Sequence, residues 1–299
     1  MPKRFTSIAI LGRIGDTGIS HALESLLLHL QIQGVRILVE TSLRTLVKAD
    51  GAWEFADHAQ IGAQADLAIT IGGDGTLLNA VHIFTSRMVP LVGINLGRLG
   101  FLTDISPDTM QAEISAILQG NYHAEQRLLL ESEIVRPDAR QPCPLALNDV
   151  VIQKSAGGRL IEFETYVDGV FVCAHRADGI IIATPTGSTA YALSGGGSIL
   201  HPSVNAIILV PICPHALGDR PIVVRGDNEI EIVMNDTHGG NAQVSSDGQN
   251  AQSLSSNDRV WIRRSAASVT LIHPQEHDYY RILRDKLHWG RALHQLHKD

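Results

Sequence analysis

Residues 66–80 read DLAITIGGDGTLLNA, and the reading of this stretch decides the fold. Asp66 to Ile71 is nearly continuous in apolar character. Gly72, Gly73 and Gly75 then fall within four residues with Asp74 among them, and apolar residues resume at Leu77. Glycine loses more backbone freedom on folding than any other residue, so three together need a reason. A nearly continuous apolar run reads as a strand buried on both faces, which belongs to a parallel sheet. Thr76 to Ser86 reads as the helix that follows. A glycine turn between the two lies beyond the carboxyl end of a strand, where open α/β sheets bind ligands. The amides and positive dipole of the helix start suit a phosphate lying against bare backbone. The same residues also fit a tight strand-to-helix turn with Asp74 or Thr76 as the N-cap. The stretch is neither GxxxxGK[ST] nor GxGxxG, so neither of those phosphate loops is present.

Working outward, Phe5–Leu11, Val35–Val39 and Pro90–Ile94 read as further strands. Ile19–Gln33 carries Ile19, Leu23, Leu26, Leu27 and Leu30 at helical spacing, with Gly34 as its stop. Pro107–Leu118 reads as a helix with Pro at its start and Gly120 beyond its end. Strands alternating with helices predict an α/β domain with a doubly wound parallel sheet. The pattern changes near residue 125. Short β-type runs follow at 128–135, 150–153, 161–167, 170–175, 180–184, 207–210, 229–233, 259–263 and 269–272. Asp168-Gly169 between two of them is a hairpin signal. Asp278–Leu296 returns to helical spacing and has an apolar face to bury, which suits packing back on the first domain. The domains expected are 1–125 together with the terminal helix 277–299, and a mostly-β domain 126–276.

The 299 residues, 44 % hydrophobic and 18 % charged, suffice for two ordinary globular cores. No apolar run approaches the ~20 residues that span a bilayer. The apolar run Ile8–Leu11 near the start is too short for a secretory signal, which predicts a cytoplasmic protein. Cys143, Cys173 and Cys213 are far apart and match no metal-ligand spacing, so they read as reduced thiols. Net charge −7 without a basic run argues against nucleic-acid or anionic-membrane partners. His288, His294 and His297 read as a solvated helix face.

A second stretch carries chemistry. DGIIIATPTGSTAYALSGGGS, residues 178–198, joins a strand to a loop in which Thr184, Thr186, Ser188 and Thr189 offer four hydroxyls within six residues. Ser188 or Thr189 could cap a short helix ending at Ser194. Hydroxyls and capping amides suit ribose, phosphate or adenine edges, and the loop also fits a capped structural turn. Asp178-Gly179 and Asp247-Gly248 could each be a hairpin turn. The glycine-rich 96–102 could help close a site or be an ordinary connection.

GGDGT at 72–76, Asn148-Asp149 after an apolar run, DGIIIATPTGSTAYALSGGG at 178–197, HPSVNAIILVPICPHALGDRPIVV at 201–224 and Asp247-Gly-Gln249 together resemble the NAD kinases, of the bacterial ATP-NAD kinase type, over nearly the whole chain. GGDGT alone is shared with diacylglycerol and sphingosine kinases and loosely with phosphofructokinases. TPTGSTAYALS is far more specific. The resemblance implies transfer of the γ-phosphoryl group of ATP to the adenosine 2′-hydroxyl of NAD. It also implies an α/β first domain, a β-sandwich second domain, a divalent metal such as Mg²⁺ and a homo-oligomer, a dimer or tetramer. Its ligands are the small-molecule substrates NAD and ATP.

Carried over residue by residue, Asp74 matches the general base, and Gly72, Gly73, Gly75 and Thr76 line the phosphate side. Asn148 and Asp149 match the pair that holds a ribose and adenine. Thr189, Ala190, Tyr191 and Ser194 match the dinucleotide-binding helix start. Arg176 and Asp178 match positions close to the dinucleotide, and Arg159 and Gln249 are further matches. The family usually has Asn-Glu where this chain has Asn148-Asp149. The shorter side chain would replace a direct contact by a water-mediated one. Two other functions fit parts of the sequence: a lipid kinase sharing GGDGT, and a dinucleotide-sensing module without turnover.

Overall fold

The computed structural model describes residues 5–15, 18–48, 50–84, 87–97, 100–155, 158–235 and 242–289. The chain divides into two compact units, Met1–Gln126 with Val269–Asp299, and Arg127–Ser268. The first unit contains β1 (Ser7–Gly12), α1 (Ile19–Ile32), β2 (Arg36–Glu40), β3 (Trp53–Ala56), α2 (His58–Gln64), β4 (Leu67–Gly72), α3 (Asp74–Phe84), β5 (Leu91–Asn95) and α4 (Met110–Leu118). β6 (His123–Arg136) leads into the second unit. That unit holds β7 (Ala139–Pro142), β8 (Asp149–Lys154), β9 (Ile161–Val167), β10 (Val170–Ala177), β11 (Gly179–Ala183), α5 (Tyr191–Ser194), β12 (Ala206–Ile212), β13 (Ile222–Arg225), β14 (Ile230–Met234), β15 (Ala242–Ser246) and β16 (Gln249–Leu254). β17 (Arg259–His273) returns to the first unit, followed by α6 (Tyr279–Leu287).

In the first unit the strands lie in the order β3-β2-β1-β4-β5, every pair parallel, and Leu271 of β17 pairs parallel with Leu91 of β5. The sheet changes direction of growth between β1 and β4, and a crevice opens there at the carboxyl ends of the strands. Alternation sorts each strand onto two faces. Ile8, Ile10, Ile37, Val39, Ile69, Ile71, Val92 and Ile94 share a core with Leu23, Leu26, Leu27 and Leu30 of α1 and Ile114 and Ile117 of α4. α2 and α3 pack together and cover the other face, so the parallel sheet is doubly wound. The glycine turn of residues 72–75 ends β4 at the switch point.

The second unit is a β-sandwich. One sheet runs β13-β12-β11-β8-β15-β16 with every pair antiparallel. The other contains β10-β9-β14-β17, with β6 pairing β17 and β7. Ile152, Ile180, Ile182, Ile207 and Leu209 of the first sheet meet Phe163, Ile230, Ile232, Val260 and Ile262 of the second in one core. The opposite face of the first sheet carries Val151, Ile181, Ala183, Ile208 and Val210 and is covered by Ala192 of α5. Burial on both faces explains why these central strands read as unbroken apolar runs.

Several expectations are corrected. The helix expected from Thr76 starts at Asp74, and the one expected from Pro107 starts at Met110. The runs 259–263 and 269–272 are parts of one strand, β17. The terminal helix ends at Leu287, where His288 adopts a left-handed φ of 58°. Its continuation to Leu296, with His294 and His297, lies outside the described residues. Asp168-Gly169 and Asp247-Gly248 are both two-residue turns with positive φ at each position, the pattern of tight hairpins. Asp178-Gly179 is not a hairpin. Asp178 already donates its N–H to Ile212 O and accepts from Lys154 N, so the chain passes from β10 of one sheet into β11 of the other without a loop.

Candidate active site

The Asp74 carboxylate is clamped. Its Oδ2 accepts from Phe101 N at 2.9 Å. Its Oδ1 accepts from Leu102 N and Thr103 N, both at 3.1 Å, and from the Thr103 hydroxyl at 2.9 Å. Asp74 therefore bonds across to the end of the glycine-rich segment rather than capping its own helix, and Phe101 and Leu102 of that segment, with Thr103 after it, hold this carboxylate. Gly100 makes the approach possible: a Cβ there would stand 2.0 Å from Asp74 Oδ1 and 2.4 Å from Thr103 Oγ1. Gly73 and Gly75 differ. A Cβ on either would meet no atom within 4 Å, so packing does not demand these glycines, and the room they leave lies over the start of α3. Thr76 is buried under it.

The segment that clamps Asp74 is itself anchored. Asp104, next to Thr103, accepts on one oxygen from His273 Nδ1 at 2.9 Å and His277 Nδ1 at 2.7 Å. Burial alone would raise the Asp104 carboxyl, but the hydrogen bonds and charges of the two histidines hold it down at about 2. No sequence spacing announced this cluster, because Asp104 is 169 residues from His273.

In the second unit a cavity of about 300 Å³ is lined by Asn148, Asp149, Ala190, Tyr191, Ser245 and Asp247, among others. The Asp247 carboxylate accepts the backbone N–H groups of Leu147, Asn148 and Asp149, which fixes the Asn-Asp pair to the β15–β16 hairpin. From the other side Thr184 N donates to Asn148 O, and Gly187 packs so close that a Cβ would meet that oxygen at 2.1 Å. Asp149 is buried, and burial together with the charge of Asp247 pushes its carboxyl up to about 7. At neutral pH a substantial fraction of Asp149 is therefore a carboxylic acid, able to donate as well as accept.

The hydroxyl-rich loop is organised differently from the expectation. Thr184 Oγ1 donates to Leu147 O, Ser188 Oγ to Pro185 O and Thr189 Oγ1 to Thr186 O. Thr186 Oγ1 accepts from the buried guanidinium of Arg127, a residue the sequence reading missed. These hydroxyls build the loop. Neither Ser188 nor Thr189 caps α5, which starts after Ala190 with no side-chain cap. Tyr191 and Ser194 are left exposed.

Arg176 and Asp178 lie elsewhere in this unit. Asp149 pairs with Ala183 at one end of β11, and Asp178 precedes its other end, five residues away or about 16 Å along a strand. Asp178 bridges to Lys154 at 2.6 Å, and Arg176 is exposed with Glu162 at 3.6 Å. Arg159 is exposed in the segment before β9, and Gln249 is half-buried at the start of β16.

The comparisons with known proteins agree with this arrangement. Residues 8–122 match the model of the ATP-NAD kinase N-terminal domain, and 147–274 that of the C-terminal domain. The NAD kinase of Nitrosospira multiformis is 47 % identical over 290 residues, covering 97 % of this chain and 98 % of that protein. That of Chromobacterium violaceum is 45 % identical, covering 98 % and 100 %. Among solved structures, yeast NADH kinase complexed with NADH superposes with a TM-score of 0.88 at 26 % identity, over 96 % of this chain and 89 % of that one. An NAD kinase from Archaeoglobus fulgidus in complex with ATP gives 0.72 at 27 %, over 94 % and 98 %. With a fixed carboxylate at the switch point of one unit, an Asn-Asp pocket in the other and full-length relatives of this kind, the chain belongs to the NAD kinase family.

Proposed function

We propose that the chain transfers the γ-phosphoryl group of ATP to the 2′-hydroxyl of the adenosine ribose of NAD, giving NADP and ADP. The observation that carries this reading is the Asp74 carboxylate, fixed by four hydrogen bonds beside two glycines with open space above them. Phosphoryl transfer needs positioning and charge neutralisation more than covalent chemistry by the protein. Asp74 Oδ1 already accepts three hydrogen bonds and Oδ2 only one, so Oδ2 keeps the capacity to accept from a substrate hydroxyl. In a loose transition state the hydroxyl proton leaves late, and the carboxylate orients the attacking oxygen and takes that proton as the new P–O bond forms. The room over Gly73 and Gly75 and the amides of the α3 start suit phosphate groups. Asn148, Asp149, Ala190 and Tyr191 are assigned to adenosine, on the strength of the cavity they share. Thr189, Ser194, Arg159, Arg176, Asp178 and Gln249 are assigned to substrate on the family match alone.

A divalent cation, magnesium, belongs to this reading and would neutralise charge on the transferring phosphates. Among the described residues no cluster of three His, Cys, Asp or Glu side chains includes Asp74. That donor set fits an ion held chiefly by the nucleotide's own phosphates and water, the habit of Mg²⁺, with Asp74 as the nearby carboxylate. A homo-oligomer and a cytoplasmic location are further parts of the proposal, resting on the family likeness alone. A lipid kinase or a non-catalytic sensor has no counterpart among the relatives described.

Incubation of the purified protein with NAD, ATP and Mg²⁺, followed by an NADP-specific cycling assay, tests the reaction. NADP at background level would remove the proposal. Asp74→Asn should lower kcat by roughly 10²–10⁴, the range for a lost general base. NAD binding measured by calorimetry should change far less.

A further inference from the structure

On β10, Phe171 lies opposite Tyr166 and Cys173 opposite Thr165, so Val172 is an extra residue in a β-bulge. Bulges re-aim the side chains that follow them. Here Cys173 and His175, two positions apart, share a face of the strand. Asp219 reaches them from the segment between β12 and β13, with Oδ2 3.1 Å from His175 Nδ1. The thiol, a ring nitrogen and a carboxylate oxygen all lie within 4.8 Å of one another. The His175 and Asp219 side chains are only 8 % and 11 % exposed. All three residues line a cavity of about 230 Å³ whose other walls include Thr165, Ile180 and Leu209. Thr165 is 1 % exposed, and its hydroxyl oxygen has no hydrogen-bond partner. A buried orphan hydroxyl at a cavity wall calls for a partner that the protein alone does not supply.

We propose that Cys173, His175 and Asp219 form a binding site for a thiophilic divalent cation, zinc first, with a fourth position open to the cavity where a metal-bound water meets Thr165 Oγ1. Thiolate, imidazole and carboxylate together are a zinc donor set, and sulfur excludes the hard cations Mg²⁺ and Ca²⁺. Bonds of ~2.0–2.3 Å to a tetrahedral ion place ligand atoms about 3.3–3.6 Å apart. The present spacing reaches that with about an ångström of side-chain movement. Binding displaces the thiol proton to solvent as the S–metal bond forms. None of its three ligands is among the residues assigned to the substrates. His215 N donates to Arg176 O, so an ion on Asp219 would further tie the 213–220 segment to β10.

A Cys-His-Asp nucleophile is the rival. The Cys173 thiol donates to Ala174 O at 3.4 Å and His175 Nδ1 is engaged by Asp219 at 3.1 Å, so among the described residues no hydrogen bond links the thiol to a base.

The test uses the full-length protein, stripped with a chelator and titrated with Co²⁺ alone as the optical probe and Zn²⁺ alone as its competitor. The expected result is one equivalent of Co²⁺ with a thiolate-to-metal charge-transfer band and tetrahedral d–d bands, both abolished by one equivalent of Zn²⁺. The band reads this site alone, because the Asp104–His273–His277 cluster contains no sulfur. Cys173→Ser should erase the band. Asp219→Asn, a substitution of matched shape, should weaken binding by at least about tenfold, the scale on which altered metal surroundings act. Cys143→Ser and Cys213→Ser should leave it intact. Absence of the band in the parent protein, or its survival in Cys173→Ser, overturns the proposal.

Discussion

Gly100→Ala isolates the clamp on Asp74 from its chemistry. The added methyl would stand 2.0 Å from Asp74 Oδ1, 2.4 Å from Thr103 Oγ1 and 2.8 Å from Asp74 Cγ. Separations under 3.0 Å are essentially never adopted by a real Cβ, so the carboxylate and the 101–103 amides must part by about an ångström. Misplacement on that scale lowers turnover by roughly 10²-fold. Overpacking also costs about 1–3 kcal/mol of stability, a fall in Tm of roughly 2–4 °C for each kcal/mol in a chain of this size. The expected outcome is a kcat near one hundredth of the parent in the NADP cycling assay. The cooperative melt should persist a few degrees lower, and NAD affinity by calorimetry should be close to the parent's. A kcat within about threefold of the parent, with the melt lowered as expected, would refute the argument that these amides set the position of the reacting carboxylate.

Gly75→Ala should do the opposite to stability: in a helix it gains up to about 1 kcal/mol, yet by filling the space over α3 it should raise the KM for ATP, and an unchanged KM at a raised Tm would place the phosphates elsewhere. Asp149 titrates near 7 in the fold. A carboxyl whose folded value lies above its unfolded one stabilises less as pH rises, so between about pH 4 and 7 the parent should lose stability on the order of 4 kcal/mol from this group. Asp149→Asn should therefore raise Tm more at pH 8 than at pH 5, while raising the KM for NAD; a pH-independent difference in Tm would count against the shift. Asp149→Glu should keep activity within about tenfold. Arg176→Gly should narrow the preference for NAD over NADH, and an unaltered ratio of kcat/KM values would remove that role.

What the sequence made legible follows from burial. Val151, Ile181 and Ile208 are apolar because both faces of their strands are covered, and such runs are visible without a structure. β15 and β16 were invisible because AQVSS and QNAQSL are largely polar, β16 as the edge strand of its sheet and β15 as a buried strand inside it whose serines break the apolar run. β3 and α2 passed unnoticed although Asp57 and Gln60 form a reciprocal capping box, a signal present in DHAQ. β17 read as two strands because Arg263 and Arg264 lie exposed in its middle. In the site, the Asp74 turn was readable from its glycines. The clamp was not, because three of its four donors come from backbone at 101–103 with no side-chain signature. Arg127 and the Cys173–His175–Asp219 cluster were hidden for a related reason: their partners lie tens of residues away, at distances that only the fold shortens.

β17 pairs with β14 through Val260–Ile262 and with β5 through Leu271, so one late strand finishes the sheet of each unit. During synthesis β5 emerges with its outer edge bare, and its partner is made some 180 residues later, roughly ten to thirty seconds at ~5–20 residues per second. Throughout that interval an apolar strand edge is available to any passing strand. The sandwich, whose last strand arrives first, can close before the parallel sheet can. A nascent chain halted before Val269 would thus carry a finished second half and an unfinished first half, and would keep that edge open to chaperones and to other strands for as long as it stayed halted.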